Sequence, residues 1–375
     1  MELASRIVSV LLGLVVAHLV TEAISQRFDC EFACAINAEK REGDAPEDRA
    51  DIYDQPVSLS AHGRQHRAGW RLLDLKHDVI TLTNSPHRGN PFGESVKAFP
   101  YNFSKPRELE DSLRGVDVLI NTYWVRFYKP PYFSFAQAVA NAKVLFDSAK
   151  RAGVRRLIHI SITNPDRGSD LPYFRGKAEM EEHIKETGLS HAILRPAVLF
   201  GKEDILINNI AWALRTLPAF GIYGDGRYRL QPIYVDDLAA AVVARIEGKA
   251  NETVDAVGPK TFRYRDLVEM IAREIGSLAL IVPMPPWLAF LGVRVLGCMV
   301  GDVINTRGEV KGLMQERLYV ESPPLGTTKL RDWVRAHREK IGHQYASELQ
   351  RRFDRVSAYT DYCQGRHDQR PVSAA

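Results

Sequence analysis

Tyr173 and Lys177 stand four residues apart in the run LPYFRGKAEMEEHIKETG, which has helical spacing. Positions i and i+4 share one face of a helix, so the phenol and the ammonium lie side by side. A neighbouring cation favours the tyrosinate and brings the phenol toward the range in which it trades protons. Just upstream, VRRLIHISIT reads as a strand ending in Ser161 and Thr163. A hydroxyl at that strand end is able to share a substrate oxygen with the phenol. Together these groups form a proton donor or acceptor for an alcohol/carbonyl pair, the chemistry that accompanies hydride transfer to nicotinamide. A bare Y-x-x-x-K is common on solvated helices. Its weight here comes from its place, at the start of a helix that follows a strand with a hydroxyl end.

The elements that must position these groups alternate regularly. HDVITLT (77–83), SVKAF (95–99), DVLINTYW (117–124), VRRLIHISIT (154–163) and SHAILRPAVLFG (190–201) have strand character. RELEDSLRGV (107–116), FSFAQAVANAKVLFDSAKRAG (133–153) and GKAEMEEHIKETG (176–188) have helical spacing. Strands separated by such helices predict βαβ units and an α/β fold with a doubly wound parallel sheet. After residue 201 the pattern loosens, with helices at INNIAWALRTL, DDLAAAVVARIEG and RYRDLVEMIAREIG. The division expected is an extension over 1–57, poorly structured or helical, a nucleotide-binding core over 58–201, a smaller and mostly helical lobe over 202–353 interleaved with the core, and a tail over 354–375.

Composition narrows the function classes. The chain has 375 residues, 45% apolar and 26% charged, with a net charge of +4. No lysine and arginine block forms a nucleic-acid stripe, so no nucleic-acid partner is expected. The four cysteines, Cys30, Cys34, Cys298 and Cys363, have neither disulfide-framework nor zinc-site spacing, and no metal is expected. Cys30 and Cys34 fit one helix face as structural residues, and a reducing, cytoplasmic compartment suits so few thiols. IVSVLLGLVVAHLV (7–20) is too short to span a bilayer, although Arg6 before it and AIS after it fit a signal peptide. PPWLAFLGVRVLGCMVGDVI (285–304) has Arg294 near its middle, so a buried or dimer-facing helix is expected there rather than a membrane span.

From about residue 71 to about 353 the chain resembles an extended or atypical short-chain dehydrogenase/reductase of the NAD-dependent epimerase/dehydratase-like group. NAKVLFDSAKRAGVRRLIHIS resembles the family's fourth helix and fifth strand, YFRGK its catalytic tyrosine and lysine, LRPAVLFG its sixth strand, and GDGRYRLQPIYVDDLAAA its substrate-lobe motif. The branch is similar to the one holding NmrA-like regulators and the nucleotide-binding accessory subunit of respiratory complex I. The resemblance implies a Rossmann-type core and an NAD(P)-dependent oxidoreductase or epimerase acting on a small alcohol or carbonyl substrate, with a homodimer as the family's habit. It makes Tyr173 the acid/base and Lys177 its partner and a ribose ligand, with Thr163 ahead of Ser161 as the hydroxyl residue and Asn141 as the structural asparagine. Arg229 matches an arginine that holds substrate phosphate in sugar-nucleotide epimerases, and also suits a surface salt bridge. Asn102 stands where an aspartate commonly meets adenine, and Asn121 joins the cofactor set at the end of its strand. The second strand ends in TLTNSPHR, where Asn84 and Arg88 replace the carboxylate that usually binds the ribose 2′-hydroxyl, so NADP is preferred to NAD.

One stretch departs from the pattern. The family's glycine turn falls near residues 60–68, where this chain reads SAHGRQHRA, with Gly63 as its single glycine. His62, Arg64, Gln65, His66 and Arg67 put bulk where the backbone must approach a pyrophosphate. One choice among the degenerate codons for His62–Ala68, read one base later, spells T-G-G-N-T-G, a glycine turn of the family type. Three readings therefore stand: an oxidoreductase or epimerase, a nucleotide binder without turnover, and an inactive chain translated out of frame before about residue 68.

Overall fold

The computed structural model describes residues 33–37, 63–83, 92–126, 134–202 and 204–349. The central sheet has seven strands: β1 (Ala33–Asn37), β2 (Asp78–Thr83), β3 (Lys97–Pro100), β4 (Val118–Asn121), β5 (Arg156–Ile160), β6 (Ser190–Pro196) and β11 (Glu252–Ala256), in the order β11-β6-β5-β4-β1-β2-β3. The pairs β2–β3, β4–β5, β5–β6 and β6–β11 are parallel. Val118, Leu119 and Ile120 are buried in an uninterrupted run, as are Leu157 and Ile158, because helices cover both faces of the sheet.

On one face, α1 (Gly63–Asp74) and α6 (Val235–Val243) pack Leu72, Leu238 and Val242 against Val118, Ile120, Ile158 and Ile160. On the other face, α2 (Pro106–Leu113), α3 (Phe135–Ala152) and α4 (Pro172–Thr187) bury Leu113, Leu145, Phe146, Met180 and Ile184. The Ser134 hydroxyl caps the start of α3 by accepting from the Gln137 amide, and Gly153 closes it with φ 84°. The fold is thus α/β and Rossmann-type, as the alternation of elements predicts.

Two findings differ from the sequence reading. Residues 33–37, expected in the extension, form the strand between β2 and β4, antiparallel to both. Cys34 is therefore on a strand rather than a helix face, and Cys30 lies outside the described residues. The apolar run ACAI is set in a polar extension, and the slot between β2 and β4 presents two rows of backbone donors and acceptors that must be paired. A short apolar run carries no signal for strand polarity. The second difference is the glycine turn: residues 63–68 are the start of α1. Gly69, further along α1, is needed for packing, since a Cβ there would fall 2.8 Å from the Phe92 ring.

The lobe contains α5 (Leu206–Thr216), β7 (Val198–Phe200), β8 (Ala219–Tyr223), β9 (Arg229–Leu230), β10 (Pro232–Tyr234), β12 (Phe262–Arg263), α7 (Tyr264–Ile275), β13 (Leu280–Met284), α8 (Pro286–Val300), α9 (Arg307–Met314) and α10 (Leu330–His337). Its core gathers Ile207, Leu214, Leu267, Ile271, Trp333 and Val334. The lobe is interleaved with the sheet, because α6 and β11 return to it. The run 285–304, expected to be buried or dimer-facing, forms α8, which leaves Trp287 69%, Leu291 50% and Met299 65% exposed. Among the described residues no helix is long and apolar enough to cross a membrane.

Candidate functional site

β5 ends at Ile160, and α4 then returns over the sheet from Pro172, which takes up the first helical turn. Lys177 therefore comes back to the carboxyl edge of β5, where its ammonium donates to the Ile160 carbonyl at 3.1 Å. The residue is only 3% exposed. The Trp124 indole, just beyond the end of β4, caps it at 4.6 Å from ring centroid to Nζ, a favourable cation–π geometry. The same indole meets the Tyr173 ring edge-on at 5.5 Å and stacks on Phe135 at 5.8 Å. Gly176 makes this possible. A Cβ there would lie 2.8 Å from the indole and 3.0 Å from Val139, so only a glycine lets Trp124 lie against the helix between the phenol and the ammonium.

The strand-end hydroxyls have internal partners as well. Ser161 donates to Glu181 at 2.5 Å, and Glu181 is clasped by both Arg195 nitrogens at 3.0 and 2.5 Å. Thr163, fully buried, donates to the Arg317 carbonyl at 2.9 Å and so ties the core to the lobe. Asn164 continues the tie by donating to the Arg317 and Tyr319 carbonyls. Asn121 accepts from the Tyr123 amide, which turns its amide nitrogen toward His159 Nδ1 at 2.8 Å. His159 Nδ1 is thereby an acceptor and Nε2 carries the proton. Burial, together with the Lys177 charge, holds this imidazole well below the usual histidine range, so it is neutral. Asn141 donates to the Tyr123 hydroxyl at 2.8 Å and accepts from Gln137.

The structure brings Tyr173, Lys177, Ser161 and Thr163 to one edge of the sheet, with Asn121 at the end of β4, bonded to Tyr123 and His159. It does not leave the ammonium or the two hydroxyls facing open space. Trp124, Gly176, His159, Glu181 and Arg195 are participants that the sequence reading missed. Glu181 had a signal: Tyr173, Lys177 and Glu181 form one i, i+4, i+8 stripe. Trp124 had none, because its contact with α4 joins residues far apart in the chain.

The remaining expected residues are dispersed. Asn84 and Arg88 lie outside the described residues. Asn102 adopts φ 45° and donates to Glu108 at 3.1 Å. Arg229 forms the surface salt bridge, with a two-pronged pair to Glu316 at 2.9 and 2.6 Å, and lies 3.8 Å over the Tyr319 ring. That guanidinium holds the Glu316 carboxyl below its usual range. Gly63 opens α1, and α1 runs toward Asp78 at the start of β2, so Gly63 sits at the carboxyl edge. The amides of such a helix start suit a diphosphate. The strand beside it does not feed that helix in the usual way: β1 runs antiparallel and leaves the sheet at Asn37, opposite Asp78, at the far edge. At the carboxyl edge the described residues thus offer the start of α1 to a diphosphate, while Trp124 covers Lys177.

Beside Tyr173 a cavity of about 820 Å³ opens between the first turns of α3 and α4 and the first turn of α9. Phe135, Val139, Ile162, Leu171, Phe174 and Leu318 line it, with Arg126, Arg175, Arg307, Glu179 and Glu309 among its polar residues.

Comparison with known proteins places this architecture. Residues 61–210 match a family described as NAD(P)H-binding. The chain is 29% identical over 183 residues to the mitochondrial NADH-ubiquinone oxidoreductase 40 kDa subunit of Neurospora crassa, covering 48% of each chain. It is 31% identical over 164 residues to the mitochondrial NADH dehydrogenase [ubiquinone] 1 alpha subcomplex subunit 9 of Mus musculus, covering 41% of each. The chain thus spans about half the length of the curated relatives it matches. Among solved structures, Citrobacter sp. triphenylmethane reductase superimposes with a TM-score of 0.52 at 18% identity, over 65% of this chain and 84% of that one. Together, the matched sequence and the sheet order make residues 61–210 a domain of the NAD(P)H-binding Rossmann type, homologous to these respiratory-complex subunits.

Proposed function

We propose that the chain is an NAD(P)-binding accessory subunit of a larger assembly, one that holds a dinucleotide without turning it over. The observation that carries this reading is the closure of Lys177, bound to the Ile160 carbonyl and capped by Trp124. The phenol relies on a neighbouring ammonium to draw it toward the tyrosinate, and here an indole lies against both groups. The engagement of Ser161 and Thr163 supports the same reading. So does α8, whose exposed Trp287, Leu291 and Met299 form the kind of apolar surface that protein partners cover. The relatives named as respiratory-complex subunits suggest the class of assembly and a mitochondrial compartment in place of a cytoplasmic one. In this reading Gly63, Asn84, Arg88, Asn102 and Asn121 serve the nucleotide, and Arg88 favours NADP over NAD.

The test is calorimetry of the purified chain with NADPH and with NADH, alongside a search for hydride transfer, in wild type and Tyr173→Phe. Saturable binding that is tighter for NADPH, unaltered by Tyr173→Phe and unaccompanied by turnover, is expected. A second reading, an oxidoreductase or epimerase with Tyr173 as acid/base and a small-molecule substrate, is favoured by the place of Tyr173 on the cavity wall. Turnover that disappears in Tyr173→Phe would establish it and remove the first. Binding of neither dinucleotide would remove both.

A further inference from the structure

The cavity beside Tyr173 has a charge pattern that its own walls leave unbalanced, and none of its lining residues belongs to α1, whose start suits a diphosphate. At about 820 Å³ it falls in the range of small-molecule sites, which are mostly apolar with a few oriented polar groups. Its two carboxylates are already held. Glu309 accepts from Arg126 at 2.8 Å and closes the capping box of α9 with Thr306. Glu179 pairs with Lys143 at 2.6 Å and Arg167 at 3.1 Å. Lys143 and Arg167 keep it ionised below the usual carboxylate range, with a smaller contribution from Arg175.

Two guanidiniums remain. Arg175 is exposed, and its recorded hydrogen bond goes to the Ser169 carbonyl at 3.1 Å. Arg307 is exposed, with its guanidinium 5.7 Å from the Phe290 ring. Among the described residues neither forms an ion pair. Both border an interior built from Phe135, Val139, Ile162, Leu171 and Phe174. An arginine fork is matched by a carboxylate, and the apolar interior by hydrocarbon.

We propose that this cavity binds a long-chain organic carboxylate, with its hydrocarbon body against the α3–α4 wall and its carboxylate at Arg175 and Arg307. The site does not include the start of α1, so carboxylate binding there does not require a bound dinucleotide.

Displacement of a dansyl-labelled fatty acid from the full chain tests this, with dodecanoate, dodecanol and dodecyltrimethylammonium as competitors. Dodecanoate is expected to compete saturably at one site, with dodecanol and the cation weaker by roughly tenfold or more, as for loss of a charge-assisted contact. The exposed pair Arg175→Glu/Arg307→Glu should weaken dodecanoate by a similar factor and leave dodecanol unchanged. Leu313→Trp, which fills the cavity, should remove all three, with circular dichroism confirming the fold. Absence of saturable dodecanoate binding, equal competition by all three compounds, or indifference to the arginine reversals would each overturn the proposal. An NADPH titration of the same protein separates the two claims: its failure with dodecanoate binding intact overturns the dinucleotide reading alone.

Discussion

A lysine ammonium bonded to a backbone carbonyl and covered by an indole is stabilised where it stands and withheld from anything that arrives later. Lys177 is in that position, and Trp124 reaches it because Gly176 has no side chain. Trp124→Ala should therefore lower stability by about 3–5 kcal/mol, the usual cost of deleting a buried large aromatic. It should also expose Lys177 to reductive methylation, read peptide by peptide by mass spectrometry, while Trp124→Phe keeps the residue protected. Methylation of Lys177 in the wild type as fast as that of surface lysines would contradict the closed geometry. The spacing of Tyr173 and Lys177 was legible in the sequence because it depends only on the helical repeat. The closure was not, since it depends on which side chain arrives from the end of β4.

At the scale of elements, α4 combines catalytic-type and structural residues on one stripe: Tyr173 at the cavity, Lys177 at the β5 carbonyl, and Glu181 between Ser161 and Arg195. A sequence reader sees the stripe but not which member faces a ligand. A comparable linkage in the lobe is open to a pH test. Glu274 on α7 accepts from Arg331 at 2.6 Å and Arg335 at 3.0 Å, both on α10, and these hydrogen bonds lower its pKa from 4.5 to about 2. The folded pKa is depressed, so the unfolded chain binds the extra proton first as pH falls. The contribution is complete above about 4.5 and is lost between there and about 2. Glu274→Gln should therefore be less stable than wild type at pH 6, with the gap between the two narrowing toward pH 2, as measured by urea midpoints. A gap that is constant with pH would show that the two arginines do not hold the carboxylate.

For the whole molecule, the element order β2 to β6 and the helix α6 follow the pattern seen in the sequence, the family resemblance adds the matched domain, and β11 was not read there. The strand between β2 and β4 does not follow that pattern. β1 runs against both neighbours, and the turn expected at 60–68 is taken up in part by α1. If residues before about 68 are out of frame, the coding DNA for His62–Ala68 read one base later should spell a glycine turn, and the preceding codons in that frame a β-rich strand. Sequencing the transcript checks this, and a stop codon or a glycine-free reading in that frame would end the idea.

What the sequence determined by itself is periodic and local: which segments from β2 to β6 are helices and strands, that they alternate into a wound sheet, and that a phenol and an amine share a helix face. These follow from backbone repeats and the need to bury apolar stripes, and both are written in residue order. The tertiary structure alone decided the polarity of β1, the sealing of Lys177 by Trp124, the burial of the Ser161 and Thr163 hydroxyls in internal bonds, and the cavity bordered by Arg175 and Arg307. Each of these arises where segments distant in sequence meet, and packing chooses among partners that local spacing leaves equivalent.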